Sequence, residues 1–320
     1  MRSVFRISCF LCLGILSTNC CALPSDRSDE SKKLLQDAQQ TDARSLGGSA
    51  FRLRANFVTE RKGQMVGDGS YELLWASQTK WREEILTSDF SQVRVGGEGG
   101  IWEDRRPPYQ SLRVWQLTQA LAFASRFSLW RNERIGTIKI KKHNGIAVRC
   151  VETRLDVGEM RELCFDEKTT ELVSEHYVPS DRTYEFTEYS SIGAKQFPRH
   201  IKIYDGKTLA VEFSATDIQE APNLTANSFE IPASAKWRNW CPNPEPAIPL
   251  RPAIYSASFS PSGHVTVFGA LGTDGVWNLH ILESGGRAAD AYVLDTEGKA
   301  RFKPATCNGV PVMVETAFRR

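Results

Sequence analysis

The chain has 320 residues, is 41% hydrophobic with eight tryptophans, and sets 40 Lys plus Arg against 38 Asp plus Glu. That apolar content can build the core of one large or two modest domains. The near balance of charge gives no electrostatic case for a nucleic acid or an anionic membrane as partner.

Arg2 and Arg6 precede an apolar run over residues 7–16, and Pro24 and a charged stretch over 26–33 follow it. This is the layout of a cleavable secretion signal over residues 1–22, with Ala22 at the cleavage point. The run is far short of the about 20 residues that a bilayer-spanning helix needs. The mature protein is therefore expected to be exported. Lipid attachment through Cys20 or Cys21 is the alternative, disfavoured because Asn19 stands where a small residue is wanted before the modified cysteine.

Leu34, Leu35 and Ala38 recur at helical spacing within 28–44, and Gly47-Gly48 closes that helix. From residue 51 the period changes: Leu53, Ala55 and Phe57 alternate with Arg52, Arg54 and Asn56, and strands are expected at 51–57, 67–75, 80–86 and 91–95. The cluster Gly96 to Gly100 reads as a hairpin tip, since it lacks the Gly-Lys-Ser/Thr ending of a phosphate loop. After Pro107-Pro108, residues 109–127 carry Leu112, Trp115, Leu117 and Leu121 mostly on one helical face, which predicts a helix lying on the sheet. Strands then fill 135–218, and the segment 228–232 ends the first domain.

Four cysteines lie beyond the signal, Cys150, Cys164, Cys241 and Cys307, and in an oxidising compartment an even set favours disulfides over four reduced buried thiols. Residues 146–155 and 160–165 read as a hairpin about Asp156-Val157-Gly158, with Cys150 and Cys164 equidistant from Val157. They should face one another at disulfide distance, leaving Cys241 for Cys307.

The order of an initial helix, a long antiparallel sheet and helices upon it resembles the LolA-like family of periplasmic lipoprotein carriers. Phe197-Pro198-Arg199-His200-Ile201, the hairpin tip Asp205-Gly206-Lys207 and Phe229-Glu230-Ile231-Pro232 carry the resemblance over roughly residues 30–235. A Pro-rich segment at 241–253 follows, expected to be a semi-rigid extended spacer between a domain at 28–240 and another at 254–320.

The last module carries Gly263, Val265 and Val267, an Asp274-Gly275 turn, an expected helix at 288–299, then Phe302, Pro304 and Ala305, and Gly309, Pro311 and Val312. This pattern resembles the TonB C-terminal domain. The resemblance implies a periplasmic recognition module that pairs an exposed strand, here residues 310–318, with an extended peptide of an envelope or outer-membrane protein. Packing of that edge against a neighbouring domain is the competing expectation. Three departures weaken a force-transmitting role: no anchor helix, a spacer too short to cross an envelope, and a strand-like 254–259 where a helix is usual.

The fold class expected is α+β, an N-terminal curved antiparallel β-sheet with covering helices, a LolA-like half-barrel, plus a small TonB-like α+β C-terminal domain. No catalytic constellation emerges. His143, His176, His200, His264 and His280 are scattered without metal-ligand spacing, no Gly-x-Ser-x-Gly occurs, and Asn223-Leu224-Thr225 reads as a turn. No cofactor or metal is expected. Trp75, Trp81, Trp102, Trp115 and Trp130 line either an ordinary core or a pocket for a lipid or other hydrophobic ligand. Two functions follow: a non-enzymatic periplasmic protein binding an envelope partner through its C-terminal module, or a carrier of a hydrophobic ligand.

Overall fold

The computed structural model describes residues 24–45, 48–61, 63–122, 127, 129, 133–155, 160–241, 244–251, 264–272 and 275–319. The signal segment 1–22, the turn at 156–158, Trp130, the strand-like 254–259, Gly263 and Asp274 lie outside them.

Alternation of apolar and polar residues builds two antiparallel meanders. The first is β1 (Phe51–Arg61), β2 (Gln64–Ser77), β3 (Lys80–Thr87), β4 (Ser91–Gly97) and β5 (Gly100–Arg106). The second is β6 (Glu133–Ile135), β7 (Lys139–His143), β8 (Ile146–Leu155), β9 (Met160–Asp166), β10 (Leu172–Tyr177), β11 (Arg182–Ile192), β12 (Lys195–Asp205) and β13 (Thr208–Glu220). β1 pairs with β13, placing Phe57 opposite Phe213, and so joins both meanders into one sheet. With β14 (Lys236–Asn239) added beside β5, the sheet has 14 strands, and β6 and β7 share the outer edge of β8. A twisted sheet this wide curls. Ile101 near one end and Phe165 near the other accordingly belong to a single buried apolar cluster.

Helix α1 (Pro24–Thr41) buries Leu34, Leu35 and Ala38 in that cluster, and its Ser31 hydroxyl donates to the Gly136 carbonyl at 2.8 Å. Helix α2 (Leu112–Leu121) begins where the Ser111 hydroxyl accepts from the Val114 N–H at 3.3 Å, and it stops at Ala122, whose ψ of 52° is not helical. It is thus shorter than the 109–127 expected.

The C-terminal part contains β16 (Thr266–Leu271), β17 (Val276–Glu283), helix α3 (Arg287–Gly298) and β21 (Val314–Arg319), with the sheet ordered β17-β16-β21. Val265, Val267, Ala289 and Val293 form its small core. The spacer expected at 241–253 is not free: β15 (Ile248–Arg251) pairs with β18 (Arg301–Lys303), and Glu245 bridges to Thr306. The final strand expected at 310–318 is divided. β20 (Val310–Val312) pairs with β19 (Ala305–Cys307), while β21 pairs with β16. The break falls at Met313, between the two strands.

The α+β class is therefore corrected. Strands dominate, and among the described residues α1 and α2 are single helices of 18 and 10 residues against a 14-stranded sheet, too little to form a covering layer. The chain is a mostly β protein.

Both expected disulfides are present. Cys150 and Cys164 stand directly opposite in the β8–β9 ladder, and Cys241–Cys307 ties the chain two residues beyond β14 to the end of β19, with Cα atoms 6.1 Å apart. At the β4–β5 tip, glycine is required by close approach: a Cβ on Gly96 would enter the Trp81 indole, which itself packs edge-on against Trp240. Gly96→Ala should lower stability by about 1–3 kcal/mol through overpacking. The urea midpoint measures this, and an unchanged midpoint would show that Trp81 has room to move.

Candidate functional site

Helix α2 is the element on which the apolar core and two polar clusters meet. Val114, Leu117, Ala120 and Leu121 are buried in the same cluster as the sheet residues Tyr71, Phe186 and Phe213.

The first polar cluster holds α2 to the sheet rim. Asp205 ends β12 at a hairpin tip where Gly206 adopts φ 58°, a left-handed conformation suited to glycine. Its carboxylate accepts from Gln116 Nε2 at 3.0 and 2.9 Å, from Arg182 Nε at 3.0 Å, and from Arg113 Nη1. Arg113 Nη2 also donates to Glu60 at 3.1 Å, and the Arg182 guanidinium lies 5.4 Å from the centre of the Trp115 ring. Burial alone would raise the Asp205 pKa, but Arg182, Gln116 and Arg113 outweigh it and hold the carboxyl below its ordinary range.

The second cluster is a buried chain of hydrogen bonds running from α2 to the C-terminal part. The Thr118 hydroxyl, which donates to the Trp115 carbonyl at 2.8 Å, lies 3.4 Å from Gln110 Oε1; Gln110 Nε2 donates to Gln92 Oε1 at 2.8 Å, and Gln92 Nε2 to Glu103 Oε1 at 2.6 Å. Arg105 donates to Glu103 at 2.6 Å and bidentately to Glu315 of β21 at 2.9 and 2.8 Å. Arg238 of β14 reaches Glu315 at 2.8 Å and lies 3.0 Å from the other oxygen of Glu103. Burial would raise the Glu315 pKa, and the two arginines reverse that, so it stays ionised. Beside these ion pairs the Tyr109 and His280 rings stack, with centroids 3.4 Å apart, and burial lowers the His280 pKa.

A shallow open cleft lies at the end of α1, lined by Ala38, Thr41, Asp42, Phe127, Leu172 and Tyr189 among others. Its cavity volume is about 20 Å3, far below the roughly 300 Å3 at which ligand pockets begin.

The TonB-like positions do not converge on a site. Val265 and Val267 are core residues beneath α3, and Gly275 directly precedes β17. Phe302 faces Pro249 in the β15–β18 pair, Pro304 separates β18 from β19, and Ala305 is buried opposite Val312. Gly309, at φ 81°, turns β19 into β20, where Pro311 faces Thr306. The strand expected to take an extended peptide lies at the outer end of the β17-β16-β21 sheet, and its Glu315 side chain is ion-paired with Arg105 and Arg238.

The described histidines have separate surroundings: His143 near Glu185, His176 on Thr183, His200 near Glu188 and Ser214, His280 on Tyr109, and His264 exposed. The one metal-capable group found among the described residues, Cys150, Glu162 and Cys164, contains a disulfide. Sequence reasoning missed Arg105, Arg113, Gln116 and Glu315. It found Asp205 only as a turn residue, because Asp-Gly marks a hairpin tip without naming the partner of the carboxylate.

No family model matches the chain, and no curated protein matches it. Among solved structures it is similar to a putative outer membrane lipoprotein-sorting protein domain from Vibrio parahaemolyticus, at 12% identity and TM-score 0.46, over 63% of this chain and 97% of that one. A DUF1329 family protein from Desulfovibrio piger gives 10% and 0.46, over 64% and 97%. A LolA superfamily protein from Nitrosomonas europaea gives 11% and 0.43, over 62% and 97%. These likenesses are loose, and none assigns an activity to this chain.

Because the folded pKa of Asp205 is depressed, its contribution is present in full above the ordinary value of 3.8 and is lost as pH falls through the lower folded value. Asp205→Asn should cost on the order of 1–3 kcal/mol at neutral pH. The gap between wild type and variant should narrow as pH falls below 3.8 and through the lower folded value. Denaturation midpoints across that pH range check this, and a gap independent of pH would show that the carboxylate charge is not what holds α2.

Proposed function

We propose that this chain is an exported, non-catalytic carrier of a hydrophobic ligand, an acyl chain or a molecule like it, received between the sheet and helix α2. The observation that carries the reading is the single apolar cluster that passes unbroken from the sheet onto α2, a helix whose polar side chains anchor it at the rim.

The cleft at α1 is too small for a long acyl chain, so the volume must come from displacing a helix. Val114, Leu117 and Leu121 are each worth about 1.5–3 kcal/mol of burial, on the order of 5–9 kcal/mol together. An acyl chain of about sixteen carbons gains about 0.8 kcal/mol per buried CH2, on the order of 12 kcal/mol. The gross burial the ligand offers is thus of the same order as the apolar face it would displace, and the Asp205 cluster sets how readily the exchange starts.

Export is supported by two disulfides, which persist in oxidising compartments, and by the signal-like residues 1–22. No described helix is long and apolar enough to cross a membrane. A recognition role for the C-terminal strands draws less support, since Glu315 on the strand nominated for it is already ion-paired within the chain.

Native mass spectrometry of protein purified from its own envelope should show a co-purifying lipid. A fluorescent fatty acid should bind the delipidated protein and be displaced by hexadecanoate. An empty protein that also fails to bind the probe would rule out the carrier reading.

A further inference from the structure

The segment 105–111 touches both α2 and the C-terminal part. At its far end the Ser111 hydroxyl caps α2 by accepting from Val114 N–H. The next residue back, Gln110, is 2% exposed and donates to Gln92, which donates on to Glu103. Tyr109 stacks on His280 of β17, and Arg105 holds Glu315 of β21 through two hydrogen bonds.

The register of the β17-β16-β21 sheet places these contacts on one face. His280 stands opposite Phe268, Phe268 opposite Ala317, and Glu315 opposite Ala270. Val267 and Ile281, on the alternate positions, belong to the cluster with α3. The C-terminal sheet thus turns one face to its own helix and seats the other on the segment that starts α2.

We infer that the position of α2 and the seating of the C-terminal module are coupled through residues 105–111, so that lifting α2 unseats the module. Two states follow. In the first, α2 is down, Gln110 completes the buried chain to Glu103, and Tyr109 and Arg105 grip His280 and Glu315. In the second, α2 is raised, Ser111 and Gln110 leave with it, and Tyr109, joined to them covalently, cannot keep its stack.

Cys241–Cys307 spans both states, so an unseated module stays tethered beside β14 and reseats when α2 returns. The coupling needs only that α2 moves. That a hydrophobic ligand moves it rests on the carrier reading above.

Coupling is reciprocal, and both directions can be measured on the full chain. Loosening α2 with Asp205→Asn should raise amide exchange in residues 112–121 and, with it, hydroxyl-radical labelling of Tyr109 and His280. Leu117→Ala provides a second way to loosen the helix if the first variant leaves it in place. Unseating the module with Glu315→Gln should raise the same labelling and raise exchange in α2 by about tenfold, within the usual range of such couplings. Exchange in β8 and β9, which hold neither the mutated residues nor their partners, should stay unchanged throughout, which separates coupling from general destabilisation. A Glu315→Gln variant that labels more at Tyr109 and His280 while α2 exchanges at the wild-type rate overturns the proposal, as does one that leaves the labelling unchanged.

Hexadecanoate is the separate arm. If both variants behave as stated but the fatty acid neither binds nor raises labelling, the coupling stands and the carrier reading fails. If it binds under α2, raising exchange there without labelling Tyr109, the carrier reading stands and the coupling fails.

Discussion

Pairing of β1 with β13 is the constraint on which the rest of the structure depends. The other neighbours in the two meanders are joined by short turns, so each stack of hairpins can form locally. Only the ladder from Phe51 opposite Glu220 to Thr59 opposite Val211 fuses the stacks, and it does so across about 150 residues of intervening chain. Phe57 and Phe213 meet within it, and Tyr71 of β2 packs edge-on against Phe213 with ring centroids 5.7 Å apart. Without this ladder each meander would expose its apolar face. With it, α1 and α2 have one continuous surface to pack on.

Much of this was legible because it is local. The β8–β9 hairpin, its disulfide and the Asp205-Gly206 tip follow from period-two patterning and turn chemistry, which act over a few residues. Helix α2 was legible in type but not in extent: its apolar spacing runs past Leu121, yet the chain leaves the helix at Ala122. The prolines of 241–253 suggested a semi-rigid extended spacer, and extended backbone also suits an edge strand, which is what β15 forms beside β18. Reading a covering layer of helices into the sequence failed for another reason. A wide curled sheet satisfies much of its own apolar face, and among the described residues α1 and α2 pack on it rather than a layer of helices.

The candidate site was less legible than the fold because its decisive contacts are between residues far apart in sequence. Arg105 and Glu315 are separated by 210 positions, and Arg113 and Asp205 by 92. A charged residue on an alternating strand reads as solvent-facing. Glu103, Arg105 and Asp205 break that rule, and each does so with an oppositely charged partner on another element. The sequence contains both halves of every pair but nothing that assigns them to each other.

The chemistry of the seat between β5, β14 and β21 bears on what it is for. Glu103 and Glu315 against Arg105 and Arg238 sum to zero charge, with the Glu103 and Arg105 side chains only 2% and 4% exposed. Such a cluster adds little net stability over an apolar patch of the same shape, because desolvation consumes most of the Coulombic gain. Its geometry is demanding, however, and losing one partner strands another buried charge at a cost of about 3–5 kcal/mol. An apolar interface would yield gradually as contacts slid apart. An ionic seat holds in one register and releases sharply, a behaviour that permits two distinct positions of the C-terminal module and no stable arrangement between them.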